Sequence, residues 1–308
     1  MFGAFNEAVK RGVTIRLMFN EDHALPIPVP PPPQIDWRFV DRLKSIGVQV
    51  KPVLGVPDLM HHKYVVRDPG TPAATVLSGS TNWTNDSWNR EENVMFTVAS
   101  ADIAADFATN FEGLWERPVV ATSGQISSPW SALADGTRVR PYFCPGRSDK
   151  LVHAMSRSIA SAQKRIRICS PVLTSGPILG TLGEVLQKPG LDIGGVYDRT
   201  EMDEVQHQWS QNATSAWKIA AFSSIVAAVP FGAKRSTPYS KDSVHDFMHA
   251  KILVADDYVY CGSFNLSHSG EQNAENVIQL ESAAVAEMCV AFIDRVAARY
   301  GGAPLKVS

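Results

Sequence analysis

The chain has 308 residues, 44% of them hydrophobic and 19% charged, with a formal net charge of −2. That balance fits a folded protein with a sizeable apolar core, and it excludes a global positive field for nucleic acid or an anionic membrane. No apolar run approaches the roughly eighteen residues of a membrane span. The first residues lack a secretory signal pattern, and Cys144, Cys169, Cys261 and Cys289 are too scattered for a metal site, so the compartment stays open.

In chain order, Phe5 to Lys10 reads as a helix, Gly12 as its stop and VTIRLMF as a strand. ALPIPVPPPPQID at 24–36 reads as a stiff, polyproline-like surface connection. MHHKYVVRD at 60–68 reads as a strand, followed by a turn, a second strand and the tetrad Gly79-Ser80-Thr81-Asn82. The pair Glu92-Asn93 follows, and an amphipathic helix over 101–116 closes the segment. Residues 117–138, rich in Pro, Ser and Gly, read as a linker.

Residues 139–173 read as a strand, a helix from Leu151 to Ala162 and a strand from Arg165 to Ser170. The apolar, β-rich RIRICSPVL predicts an interior strand. GEVLQKPGLDIGGVYD at 183–198 then repeats the opening helix and strand. MHAKILVAD at 248–256 repeats the first motif, Gly262-Ser263-Phe264-Asn265 repeats the tetrad and Glu275-Asn276 repeats the pair. A helix over 282–300 closes the chain's second half.

The chain is therefore an internal duplication: a first repeat over 1–116, a linker over 117–138 and a second repeat over 139–308. The expected fold is α/β, with two repeats related by a pseudo-two-fold axis, each a mixed sheet flanked by helices. Residues 61–63 should face residues 249–251 across one cleft. The first repeat has no counterpart to the strand and helix that open the second, so it reads as incomplete and its sheet should expose a free edge or an apolar face.

With 8 His, 12 Lys and 18 Asp in the chain, random order predicts only about 0.02 copies of His-x-Lys-x4-Asp. Two copies with matching tetrads are not coincidence. Strand periodicity puts His61 and Lys63 on one face, and His249 and Lys251 likewise, while Asp68 and Asp256 have the opposite parity and a supporting role. Facing halves would gather two imidazoles, two ammoniums, the hydroxyls of Ser80 and Ser263 and the amides of Asn82 and Asn265. That set suits a tetrahedral oxyanion, with the lysines as point charges and the amides and hydroxyls as directed hydrogen-bond groups. Adjacent His61 and His62 point apart and no carboxylate cluster accompanies them, so neither a metal nor a cofactor is expected. His62, His245 and His268 read as incidental surface or loop residues.

MHHKYVVRD with GSTNW, and MHAKILVAD with GSFNLS, resemble the two signature motifs of the phospholipase D superfamily. WTNDSWNREENV and NFEGLWE are most similar to its small bacterial phosphodiesterases and nucleases. The resemblance implies a phosphoric diester hydrolase in which one histidine forms a covalent phosphohistidine and the other acts as general acid and base. Lys63, Lys251, Asn82 and Asn265 would bind non-bridging oxygens, with Ser80 and Ser263 assisting. Glu92 and Glu275 would orient the histidines. The substrate implied is a phosphodiester, phospholipid or nucleic acid, with hydrolysis or transfer to an alcohol, and a membrane surface as the interface for a lipid. A metal-independent endonuclease and a non-catalytic anion-binding protein are the competing readings.

Overall fold

The computed structural model describes residues 2–21, 35–238, 240 and 243–302. Residues 24–34 of the Pro-rich stretch lie outside them. The first half opens with α1 (Phe2–Lys10) and β1 (Arg16–Asn20), and α2 (Trp37–Ser45) leads into β2 (Gln49–Val53). β1 and β2 pair in parallel. β3 (Tyr64–Arg67), β4 (Thr75–Gly79), the short α3 (Asn85–Asn89) and β5 (Met95–Ala99) follow, and α4 (Ala101–Glu116) closes the half. β3, β4 and β5 form an antiparallel sheet of their own.

The second half contains β6 (Ser131–Ala132), β7 (Arg138–Phe143), α5 (Ser148–Ser161), β8 (Arg165–Ser170), α6 (Gly176–Val185) and β9 (Asp192–Asp198). It continues through α7 (Arg199–Ser210), α8 (Ala216–Ala228), β10 (Phe231–Lys234), β11 (Ile252–Ala255) and β12 (Tyr258–Gly262). It ends with α9 (His268–Gln272), β13 (Asn276–Glu281) and α10 (Ala283–Arg299). Its strands form one mixed sheet in the order β10-β9-β8-β11-β12-β13-β7-β6. β6 falls within the stretch read as a linker, so that stretch is partly sheet.

Strand alternation sends the side chains of this sheet to two cores. Ile166, Ile168, Leu253 and Ala255 join α5, α6 and α8 on one face, while Cys169, Ile252 and Val254 join α10 on the other. Helix α4 of the first half packs Ile103, Ala104 and Phe107 against Val139, Phe143 and Ile278 of the second. The closing helices start alike, with Ser100 and Ser282 each accepting a hydrogen bond from the backbone N–H three residues on.

The duplication is legible in the pairings. β3-β4-β5 corresponds to β11-β12-β13, and β1-β2 to β9-β10. In the second half β8 lies between β9 and β11, as an interior strand, and joins the two sets into one sheet. Among the described residues the first half has no such strand, because residues 2–10 are helical, and its sheet stays in two pieces. The β1-β2 piece is held to α4 by side chains instead. Phe111 and Trp115, one turn apart, stack on each other. The Arg16 guanidinium lies over both rings at 5.0 and 5.3 Å, and the Lys51 ammonium lies 4.8 Å from the Trp115 ring.

Candidate active site

The sequence places the two His-x-Lys motifs on strands, but the structure starts β3 and β11 just after Lys63 and Lys251. The motif residues are still extended, because each backbone is clamped by the other half. His61 N–H donates to the Ala274 carbonyl and His249 N–H to the Glu92 carbonyl, both at 2.9 Å. Alternation therefore survives. Each lysine ammonium turns back to the carbonyl of the histidine two residues before it, at 3.0 Å for Lys63 and 2.7 Å for Lys251. His62 points the other way, against Tyr64 and Phe143, with Nε2 within 3.0 Å of Ser123 Oγ and 3.2 Å of Asn110 Nδ2. Burial takes its pKa down to about 3. It is a structural core histidine rather than the surface residue its sequence position suggests.

Each imidazole is held by a group from the opposite half. Nδ1 of His61 lies 2.8 Å from both carboxylate oxygens of Glu275, which is fully buried. Nδ1 of His249 instead meets the Asn93 amide oxygen at 3.1 Å, with a Glu91 oxygen at 3.4 Å. Glu92, the expected counterpart of Glu275, is turned away and contacts Lys234, Arg299 and Tyr300. The cause is a one-residue slip. Gly79 pairs with Met95 in β5, whereas Gly262 pairs with Val277 in β13, so the loop in the first half is one residue longer. Asn93 thereby occupies the place of Glu275. Both residues stand seven positions before the serine that caps the closing helix, a spacing that reveals the slip where the count from the tetrad hides it.

The two serines also differ from their expected role. Ser80 Oγ donates to Asn93 Oδ1 at 2.6 Å and accepts from Val94 N–H at 3.0 Å. Ser263 Oγ donates to Glu275 and accepts from Asn276 N–H at 2.9 Å. Both are fully buried, and their single hydrogens fix the groups that fix the imidazoles, so neither is placed to donate to substrate. Gly79 and Gly262 let this happen: a Cβ on either would collide with the crossing backbone at Val94 or Asn276. Asn265 keeps its amide oxygen buried without a partner, which leaves one end of that amide uncommitted.

Asp68 and Asp256 sit at the turns after β3 and β11 in the same left-handed backbone, φ 49° and 50°. The Asp256 carboxylate accepts from the backbone N–H groups of Gln163, Lys164 and Arg165 at 2.8, 2.9 and 3.0 Å. Burial opposes its charge, yet these three donors hold its pKa below the ordinary value. Asp68 has no such turn beside it; its carboxylate is 60% exposed, and the Arg67 guanidinium is 3.7 Å away. The supporting role read from parity fits Asp256, and Asp68 lacks the segment it would support.

A family model described as a cardiolipin synthase, PLD-like domain matches residues 1–115 and 155–296. The chain belongs to the phospholipase D superfamily. The phosphatidylserine synthase of Haemophilus influenzae Rd KW20 has a similar fold, with a TM-score of 0.58 at 12% identity over 99% of this chain and 85% of that one. Nuc from Salmonella typhimurium matches at 20% identity and a TM-score of 0.40, over 55% of this chain and 99% of its own. NucT from Helicobacter pylori matches at 14% and 0.40, over 54% and 98%. No curated protein sequence matches the chain.

In this phospholipase D-like cleft the charges act on one another across the halves. Burial lowers the Lys63 pKa to about 8, with Glu275 and Glu91 opposing the shift. Lys251 is lowered well below the usual lysine value, first by burial and then by Lys63. Burial likewise lowers His61, against the pull of Glu275, and it lowers His249 well below the ordinary histidine value, aided by Lys251 and Lys63. An anion between the ammoniums would relieve their mutual repulsion. Among the described residues no helix is long and apolar enough to cross a membrane, and no cluster of three or more His, Cys, Asp or Glu side chains is arranged to hold a metal ion.

Sequence reading missed the residues that position the motifs. Met60 N–H donates to Asn20 Oδ1 and Met248 N–H to Asp198 Oδ2, so the last residues of β1 and β9 anchor both motifs. Asn276 accepts from Lys63 N–H at 3.0 Å and donates to Ser78 Oγ at 2.7 Å, joining the halves beside the cleft.

Proposed function

We propose that this cleft cleaves a phosphodiester, or transfers its phosphoryl group to an alcohol, through a covalent phosphohistidine, with a phospholipid headgroup ester as the substrate. The observation that carries the reading is that each motif imidazole has its Nδ1 engaged by a group from the opposite half, the buried Glu275 carboxylate for His61 and the partly buried Asn93 amide for His249. Nδ1 then serves as the donor, and Nε2 of each ring is left for chemistry. Nε2 of one histidine attacks phosphorus as the bond to the leaving oxygen breaks, and the other, protonated, gives its proton to that oxygen. Water or an alcohol then yields its proton to the second histidine and displaces the first from phosphorus. Lys63 and Lys251 neutralise the non-bridging oxygens, with the amides of Asn82 and Asn265 directing them.

Two features support the lipid over a nucleic acid. The net charge of −2 supplies little phosphate neutralisation outside the cleft. Trp83 and Trp88, just past Asn82, are 43% and 53% exposed and pack edge to face, an apolar pair suited to a lipid interface. The test is a parallel assay on phosphatidylcholine vesicles, single-stranded DNA and a chromogenic phosphodiester, each with EDTA present. Turnover of vesicles over DNA, unaffected by EDTA, is expected. Preferential cleavage of DNA would replace the lipid reading with a nuclease, and activity abolished by EDTA would overturn the metal-independent route.

A further inference from the structure

The two motif histidines are not held alike. His61 has a carboxylate directly on Nδ1, whereas the group nearest Nδ1 of His249 is a neutral amide. An amide oxygen can accept the Nδ1 proton, but it offers no charge to the imidazolium that general acid–base chemistry requires. The Asn93 amide continues to a charged group. Its Nδ2 donates to Glu91 Oε2 at 2.9 Å and to the Ser87 carbonyl at 3.0 Å. A carboxylate and a carbonyl both accept only, so the amide orientation is fixed: Nδ2 faces them and Oδ1 faces His249. His249 is thereby held with its proton on Nδ1 and its lone pair on Nε2.

Glu91 is itself fixed. Ser87 Oγ donates to it from α3, and its side chain is only 4% exposed. The groups that act on His249 are Lys251 from its own motif, Lys63 and His61 from the facing motif, the Ser80 backbone, and Glu91, whose Oε2 lies 3.4 Å from Nδ1 beside the Asn93 amide. Glu91 also favours the charged forms of both lysines, as Glu275 does.

We infer that Glu91, bonded to Asn93 and with Oε2 3.4 Å from Nδ1, is the positioning residue of His249, supplying beside the Asn93 amide the charge that Glu275 supplies in direct hydrogen bonds to His61. The inference rests on the phosphodiesterase reading for its catalytic consequence, but its geometric content can be measured without turnover.

The experiment compares the wild-type chain with Glu91→Gln and with the exchange variant Glu91→Gln/Asn93→Asp, which moves the carboxylate directly onto the ring. Nitrogen-15 NMR of the histidine rings, followed against pH, reads tautomer and titration while reporting whether each variant is folded. Wild-type His249 should show its proton on Nδ1. Glu91→Gln should make His249 harder to protonate while His61 moves less, and the exchange should raise the His249 titration again. On a chromogenic phosphodiester, Glu91→Gln should lose about 10- to 100-fold in kcat, the usual effect of removing such a supporting partner, with KM little changed. The exchange should recover most of that loss. A folded Glu91→Gln protein whose His249 titrates as in wild type overturns the inference, as does a folded exchange variant that recovers neither titration nor rate. If wild type turns over no phosphodiester, the functional reading fails, and the ring titration still decides the role of Glu91.

Discussion

The two halves carry the same motif on unequal scaffolds. In the second, β8 runs between β9 and β11 and makes one continuous sheet with helices on both faces. In the first, the corresponding space between β1 and β3 holds no strand among the described residues. The first motif keeps its geometry because the second half supplies it. Leu59 N–H donates to Asn273 Oδ1, His61 N–H to the Ala274 carbonyl and Lys63 N–H to Asn276 Oδ1. Of the bonds that shape residues 59–63, those of Met60 N–H to Asn20 and of the Ser78 hydroxyl to the Lys63 carbonyl are made within the first half. A motif segment does not require its own sheet to be complete if a facing surface fixes its backbone.

The comparison can be broken hardest at the histidines. If unequal scaffolds contribute equal chemistry, His61→Ala and His249→Ala should each remove at least about 10⁴-fold of kcat, as loss of an essential group does elsewhere. Survival of most of the activity after either substitution would show that half to be dispensable. Lys63→Ala and Lys251→Ala come next, each expected to cost about 3–4 kcal/mol of transition-state stabilisation, read from kcat/KM.

Stability separates the halves further. Ile168 in β8 is fully buried, so Ile168→Ala should cost about 2–5 kcal/mol in denaturant unfolding. The turn aspartates give a matched pair. Asp256→Ala strands three backbone donors and should cost about 1–3 kcal/mol, whereas Asp68→Ala should fall within about 0.5 kcal/mol of wild type. The Asp256 contribution is present above the ordinary aspartate pKa and is lost as pH falls through its lowered folded value. Equal costs for the two aspartates would mean that Asp68 has a partner equivalent to the 163–165 turn.

The smallest effect concerns sulfate, which does not titrate near neutrality. Binding it between the ammoniums raises their pKa values above those of the empty cleft. The Lys63 contribution to affinity is therefore full below about 8 and falls as pH rises from there to its bound-state value, and Lys251, lowered well below the usual lysine value, acts in the same direction. Calorimetry in two buffers of different ionisation enthalpy should record proton uptake on binding, and its absence at pH 8 to 9 would argue against lowered lysines.

Much of this was legible in the chain. The duplication, the interior position of Arg165–Ser170 and the alternation around each His-x-Lys motif follow from periodicity and spacing. The partners of the imidazoles were not, for a physical reason. Glu92 and Glu275 stand equally far from their tetrads, and only the strand register, with its extra residue before β5, shows that Asn93 takes the place of Glu275. Ser80 and Ser263 read as ligand groups because a sequence shows that a hydroxyl is present but not where its hydrogen goes. His62 read as incidental because the Asn110–Ser123 pocket that buries it comes from residues far along the chain.

The bonds from Asn273, Ala274 and Asn276 into residues 59–63 also set the order in which the protein fails on heating. The first half, in which no strand joins β1 to β3 among the described residues, is the part expected to open first. When it does, His249 loses Asn93 and Glu91 together, and Glu275 loses His61, while β8 and its neighbours remain folded. Inactivation should therefore precede the main loss of circular dichroism and reverse on cooling from that range, making enzymatic activity a sensor for a local opening that spectroscopy of the whole chain would barely register.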